Sequence, residues 1–238
     1  MKLLQIKRLT FFLLVLIPFV LQAHGVRSSD QQLLYEGGLM AYIYVGAIHM
    51  ITGYDHLLFL IGVIFYMSGF KDIFRFITVF TLGHSITLIG ATFMDISVNE
   101  HLIDAVIALS VLYKGFENLD GFKRLFKSKS PNLLLMVFFF GLIHGLGLST
   151  RLQSFELGAE QFLMKIVCFN IGVELGQIIA LIPIVFIISK WKGKKGYDYF
   201  YQAANWILIL AGIALFIFQM YSYFYGFHHH HGPGGHTH

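Results

Sequence analysis

Charge is what this chain has least of. Lys, Arg, Asp and Glu make up 13% of its 238 residues, where a soluble domain carries about a quarter. So few charges cannot cover a sizeable water-facing domain, and one is excluded. Cysteine is scarcer still. Cys168 stands alone, so there is no internal disulfide and no thiolate cluster for a soft metal. Apolar residues fill the chain instead, at 56% with a mean hydropathy of +0.69. Several runs reach the roughly 20 apolar residues that cross a bilayer core. The fold expected is all-α, a polytopic membrane helix bundle whose first partner is the lipid bilayer. The net charge of +4 does not imply nucleic acid, because the Lys and Arg sit in short loops that orient a membrane chain.

Residues 1–23 read as a cleavable signal peptide. Lys2, Lys7 and Arg8 form the basic start, Phe11 to Leu21 the apolar core and Leu21-Gln22-Ala23 the cleavage site. Retention as an extra helix is the alternative. Cleavage would make His24 the N-terminus, with an amine and an imidazole able to chelate one metal ion. Residues 24–38 form a short external segment. Residues 39–225 are predicted to hold six transmembrane helices, at 39–67, 73–94, 101–118, 132–150, 161–189 and 203–225.

Basic residues fall on alternate loops. Lys71 and Arg75 mark the first, Lys123, Arg124, Lys127 and Lys129 the third, and Lys190, Lys192, Lys194 and Lys195 the fifth. The second has Asp95 and Glu100, and the fourth Glu156 and Glu160 against a single Arg151. The positive-inside rule makes the basic loops cytoplasmic. Both termini are then outside a bacterial cytoplasmic (inner) membrane. The tail, residues 226–238, contains His228, His229, His230, His231, His236 and His238. A run of four is short for a purification tag, and a flexible His-rich tract binds divalent metal loosely. The tail reads as a native collector of metal outside the membrane.

The chemistry lies deeper. His49, Asp55 and His56 fall inside the first apolar run, where a charge costs roughly 3 kcal/mol even on the gentler insertion scales. A cation held between helices is the cheapest compensation. In a straight helix His49 and His56 share a face but stand about 10 Å apart along the axis. Either the helix unwinds near Thr52-Gly53, as Gly permits, or the two mark successive sites on a path. Asp55 points about 100° from His56 and completes the site or orients an imidazole. His84 with Ser85, His144 among Gly141, Gly145 and Gly147, and Glu174 lie on three further helices. Asn170 and Glu174 are four apart on one face, with Gln177 a turn later as a hydrogen-bond donor that orients a ligand. Asp104 is nearer the outer surface, on an entry path, and Glu117 and Asn118 read as solvated residues at a helix end. Phe80-Thr-Leu-Gly-His84 echoes Phe140-Gly-Leu-Ile-His144, each on a helix running outward.

Four elements together, His49-x-x-x-Gly53-x-Asp55-His56-Leu-Leu-Phe-Leu, Phe80-Thr-Leu-Gly-His84-Ser85, Phe140-Gly-Leu-Ile-His144-Gly-Leu-Gly147 and Asn170-Ile-Gly-Val-Glu174-x-Gly-Gln177, resemble the HupE/UreJ family over residues 39 to 225. The resemblance implies a permease for nickel, cobalt or another divalent metal. It carries the metal-binding role to His49, Asp55, His56, His84, His144 and Glu174. Met50 stands where many members have Pro, and Asp104 where Glu is expected.

The expected activity is divalent-metal transport, with no enzymatic step and no catalytic cofactor. Nickel or cobalt is the expected cargo, and zinc or copper suits the same ligands. Two rivals remain: an intramembrane zinc-dependent hydrolase, and a membrane metal-binding accessory protein for metalloenzyme assembly.

Overall fold

The structure is a computed structural model that describes residues 32–34, 37–67, 69–153 and 162–229, except for the side chains of Tyr54, Asp55, Phe162 and residues 226–229. Residues 1–31, with the proposed signal peptide and His24, lie outside the described residues. So do residues 230–238 of the His-rich tail.

From Gly38 onward the described chain is helical and contains no strand. Its elements are α1 (Gly38–Thr52), α2 (Tyr54–Ile64), α3 (Phe70–Phe93), α4 (Glu100–Asn118), α5 (Gly121–Leu125), α6 (Leu133–Gln153), α7 (Phe162–Trp191) and α8 (Tyr197–His229). Local chemistry sets several ends. Asn99 caps α4 by accepting from the His101 and Leu102 amides, and Asn132 does the same for Leu134 and Leu135 at the start of α6. Gly193 and Gly196 take φ of 79° and 90° in the turn before α8, a region that suits glycine.

Glycines decide which helices touch. On α7, Gly172 lies against the Ile43 carbonyl of α1 and Gly176 against that of Ala47. On α6, Gly141 meets the Phe80 carbonyl of α3 and Gly145 that of His84. In each pair the contact numbers rise together, so α1 runs parallel to α7 and α3 parallel to α6. Gly115 of α4 meets Asn205 of α8, and Gly212 of α8 meets Leu112, so that pair is antiparallel. Small residues allow such close approach in a bilayer, where apolar side chains gain little by leaving lipid. Val98 against Thr150 and Ile103 against Gly147 oppose α4 to α6. His84 against Asn170 and Ile77 beside Ile178 oppose α3 to α7. The α1–α2 pair, α3, α4, α6, α7 and α8 therefore alternate in direction along the chain.

Among the described residues, four helices are long and apolar enough to cross a membrane: Phe70–Phe93, Leu133–Gln153, Leu163–Trp191 and Tyr197–Tyr225. The first expected span is instead two helices bent by 66° at a break, and together they qualify as a fifth. Glu100–Asn118 does not qualify on composition. It carries Asp104, Lys114 and Glu117, all buried. The expectation that Glu117 and Asn118 are solvated is corrected here. They are 3% and 5% exposed, because Lys114 Nζ lies 2.6 Å from Glu117 Oε2 and Asn118 Nδ2 donates to the Gly62 carbonyl and to Asn205 Oδ1. Partners inside the bundle replace the water these groups would otherwise need.

Candidate metal centre

The break in the first span falls at Gly53, whose φ of −68° and ψ of 106° are extended. The Gly53 amide still donates to the His49 carbonyl, and the Gly53 carbonyl accepts from Leu57, so each half-helix is finished and restarted within one residue. The bend changes what the seven-residue spacing means. The rings of His49 and His56 have centroids 5.0 Å apart at an interplanar angle of 71°, about half the straight-helix separation.

His56 is buried and meets a second imidazole. Its centroid lies 4.8 Å from that of His144 on α6. His144 is buried too, and its Nδ1 is 2.7 Å from the Phe140 carbonyl. A carbonyl only accepts, so Nδ1 carries the hydrogen and Nε2 of the neutral ring carries the lone pair. The same deduction holds at His84. Its Nδ1 is 3.0 Å from Asn170 Oδ1, while Asn170 Nδ2 is engaged as a donor to the Ile166 carbonyl. Nδ1 of His84 is then the donor and Nε2 the ligand-competent atom. A nitrogen–hydrogen fixed by an oxygen acceptor is how metal-binding imidazoles are usually oriented.

Aromatic rings wall the imidazoles in. Phe80 stacks on His84 at 6.1 Å and meets His144 edge-on at 5.3 Å. Phe59 lies 6.1 Å from His144, and Phe169 lies 5.9 Å from His49. Phe59, Phe80 and Phe169 are among the most deeply buried side chains. The echo between α3 and α6 also has a spatial meaning. The two helices cross in parallel at Gly83 and Gly141, where an added Cβ would come within 2.4 and 2.3 Å of the opposing carbonyls. That crossing sets His84 and His144 on corresponding turns.

Two imidazoles on one ion, with metal–nitrogen bonds of about 2.1 Å, would hold their centroids about 4.5 to 5 Å apart. The His49/His56 and His56/His144 pairs have that spacing, and His56 belongs to both. No group of three His, Cys, Asp or Glu side chains among the described residues is placed to hold an ion as it stands. The arrangement is a chain of pairs.

The other expected site residues lie around this chain. Asp55 is in the first turn of α2, and its side chain lies outside the described residues. Glu174 is half-buried one turn beyond Asn170, with no hydrogen bond or ion pair to another described residue. Ser85 is half-buried as well. Gln177 is wholly buried, and neither amide atom has a hydrogen-bond partner among the described residues. Asp104 is held by Arg151 and Gln219. Both its oxygens accept from Arg151 Nη2, at 2.8 and 2.7 Å, and Gln219 adds a 3.4 Å contact. His228 and His229 continue the backbone of α8, with side chains outside the described residues.

Arg151 and Lys114 escape the sequence reading. Arg151 looks like a loop residue because the expected helix stops at 150, but α6 runs on to Gln153 and carries the guanidinium inside. A carboxylate at Asp104 within an apolar segment demands a nearby cation, and that demand was the available signal. Lys114 lies over the Tyr66 ring at 3.9 Å and pairs with Glu117 three residues on, a helical spacing visible in the sequence.

A family model described as HupE / UreJ protein matches residues 28–226. No curated protein and no solved structure matches the chain.

Proposed function

The chain belongs to the HupE/UreJ family, and on that premise we propose that it is a permease for a divalent transition metal, nickel or cobalt in the first place. Membership is consistent with a nickel/cobalt-type transport or accessory role. The observation that carries the transport reading is the sharing of His56 between two imidazole pairs. An ion held by His49 and His56 moves on to His56 and His144 by exchanging one ligand while keeping the other. Each pair alone is a weak site, and weak successive sites let an ion leave as well as enter. Imidazoles bring no negative charge, so Asp55 and Glu174 are assigned the compensation of the dication. His84, fixed by Asn170, is a further ligand. Zinc and copper(II) suit the same donors.

In this proposal the chain lies in the bacterial inner membrane with both termini outside, and the tail histidines and His24 collect metal there. Competitive uptake of nickel, cobalt, zinc and copper into proteoliposomes tests this reading. Wild-type protein accumulates one or two of these metals, and His56→Ala and Glu174→Gln abolish the uptake. Normal uptake in both variants ends the proposal. Metal binding that depends on His56 without flux in the wild type establishes the accessory role instead.

A further inference from the structure

The two glycine-packed pairs have a consequence on the outer wall of the bundle. Gly141 and Gly145 draw α3 to α6, and Gly172 and Gly176 draw α7 to α1. Near His84 and Asn170 the helices α3 and α7 touch. Toward the start of α3 each follows its own partner, and a groove of about 660 Å³ opens between them. Ile73 and Ile77 are buried and form its floor, and Ile178 and Ile182 of α7 form the far wall. Phe74, 68% exposed, flanks it. Lys71 and Arg75 also line this groove, one helical turn apart. Both are exposed, and neither makes an ion pair or hydrogen bond with another described residue. Asp72, in the same turn, is not part of the wall.

We propose that this groove binds one anionic phospholipid, with an acyl chain along Ile77, Ile178 and Ile182 and the phosphate at Lys71 and Arg75. An apolar slot on a membrane-spanning helix will be filled by a chain of some kind. The two cations at its mouth, without carboxylate partners among the described residues, select the headgroup. Basic pockets between helices at the membrane surface hold anionic lipids in this way, each cation contributing about 1 kcal/mol. The groove shares no residue with the imidazole chain, so the proposal stands or falls independently of the metal-permease reading.

The test uses the full chain in neutral detergent, with phosphatidylglycerol and phosphatidylcholine of identical acyl chains. Native mass spectrometry counts retained lipid, and the unfolding midpoint reports stabilisation. Wild-type protein is expected to retain one phosphatidylglycerol under conditions that strip phosphatidylcholine, and to be stabilised more by the former. In Lys71→Gln/Arg75→Gln the affinity for phosphatidylglycerol should fall roughly 30-fold, to that for phosphatidylcholine. Thr78→Trp, which fills the groove but keeps both cations, should weaken the two lipids alike. Equal retention of both lipids by the wild type overturns the proposal, and that comparison needs no variant. So does a preference that survives the double substitution, or a dimer abolished by Thr78→Trp, which would make a second copy the occupant.

Discussion

His56 and His144 stand with ring centroids 4.8 Å apart, although one lies on the half-helix after Gly53 and the other in the middle of α6. With His49 at 5.0 Å on the other side, His56 is the only imidazole of the described chain common to both pairs. Its removal should therefore cost more than that of either neighbour. His56→Ala is expected to reduce metal uptake by about 100-fold or more, and His49→Ala or His144→Ala by about tenfold, on the basis of roughly 1.4 kcal/mol per decade of lost binding. Initial rates in proteoliposomes at matched protein incorporation check the ranking.

The bend at Gly53 makes the first pair. Gly53→Ala fits the observed backbone angles but favours a continuous helix by about 1 kcal/mol. The variant should spend more time straight, with His49 and His56 farther apart. A loss of metal affinity of at most about fivefold is expected, with an unfolding midpoint no lower than that of the wild type. Isothermal titration and thermal unfolding on the same preparation separate the two effects.

Asn170 tests the tautomer deduction. Asn170→Leu removes the acceptor at His84 Nδ1 and frees that ring to rotate or change tautomer. Loss of such a partner typically lowers metal affinity by about 10- to 100-fold. Asn170→Asp keeps an oxygen acceptor and should restore most of the binding. Equal loss in both variants would mean that Asn170 acts through packing alone.

The glycine crossings carry stability. In Gly145→Ala the new Cβ would sit 2.2 Å from the His84 carbonyl oxygen. Two backbones would have to separate, at about 1 to 3 kcal/mol. Gly90 has nothing within 4 Å of the same position, so Gly90→Ala should leave the midpoint unchanged or higher. Thermal unfolding in detergent compares the two.

Much of this was legible before the structure. The long apolar runs gave the helices, because a bilayer requires segments of that length. The imidazole positions stood out because polar groups in apolar runs need a physical reason. Even the break was half-visible, since a seven-residue spacing on a straight helix could not serve one ion and Gly53 lay between. The contents of Glu100–Asn118 were not legible. Asp104 and Glu117 are buried only because Arg151 and Lys114 reach them, and neither partnership is dictated by apolar periodicity. Glu174 shows the same limit in reverse. Its depth follows from its place on α7, whereas its contacts depend on how α3 and α7 diverge. That divergence is set by glycines on their other faces.

The proposed function requires that imidazoles from separate membrane helices bind one dication. X-ray absorption at the nickel edge, on metal-loaded full-length protein whose tail histidines are replaced by Ser, measures this directly. The expected spectrum carries the multiple-scattering signature of at least two imidazoles at about 2.1 Å, reduced in His56→Ala. A shell of oxygen alone, or a spectrum unchanged by His56→Ala, would contradict it.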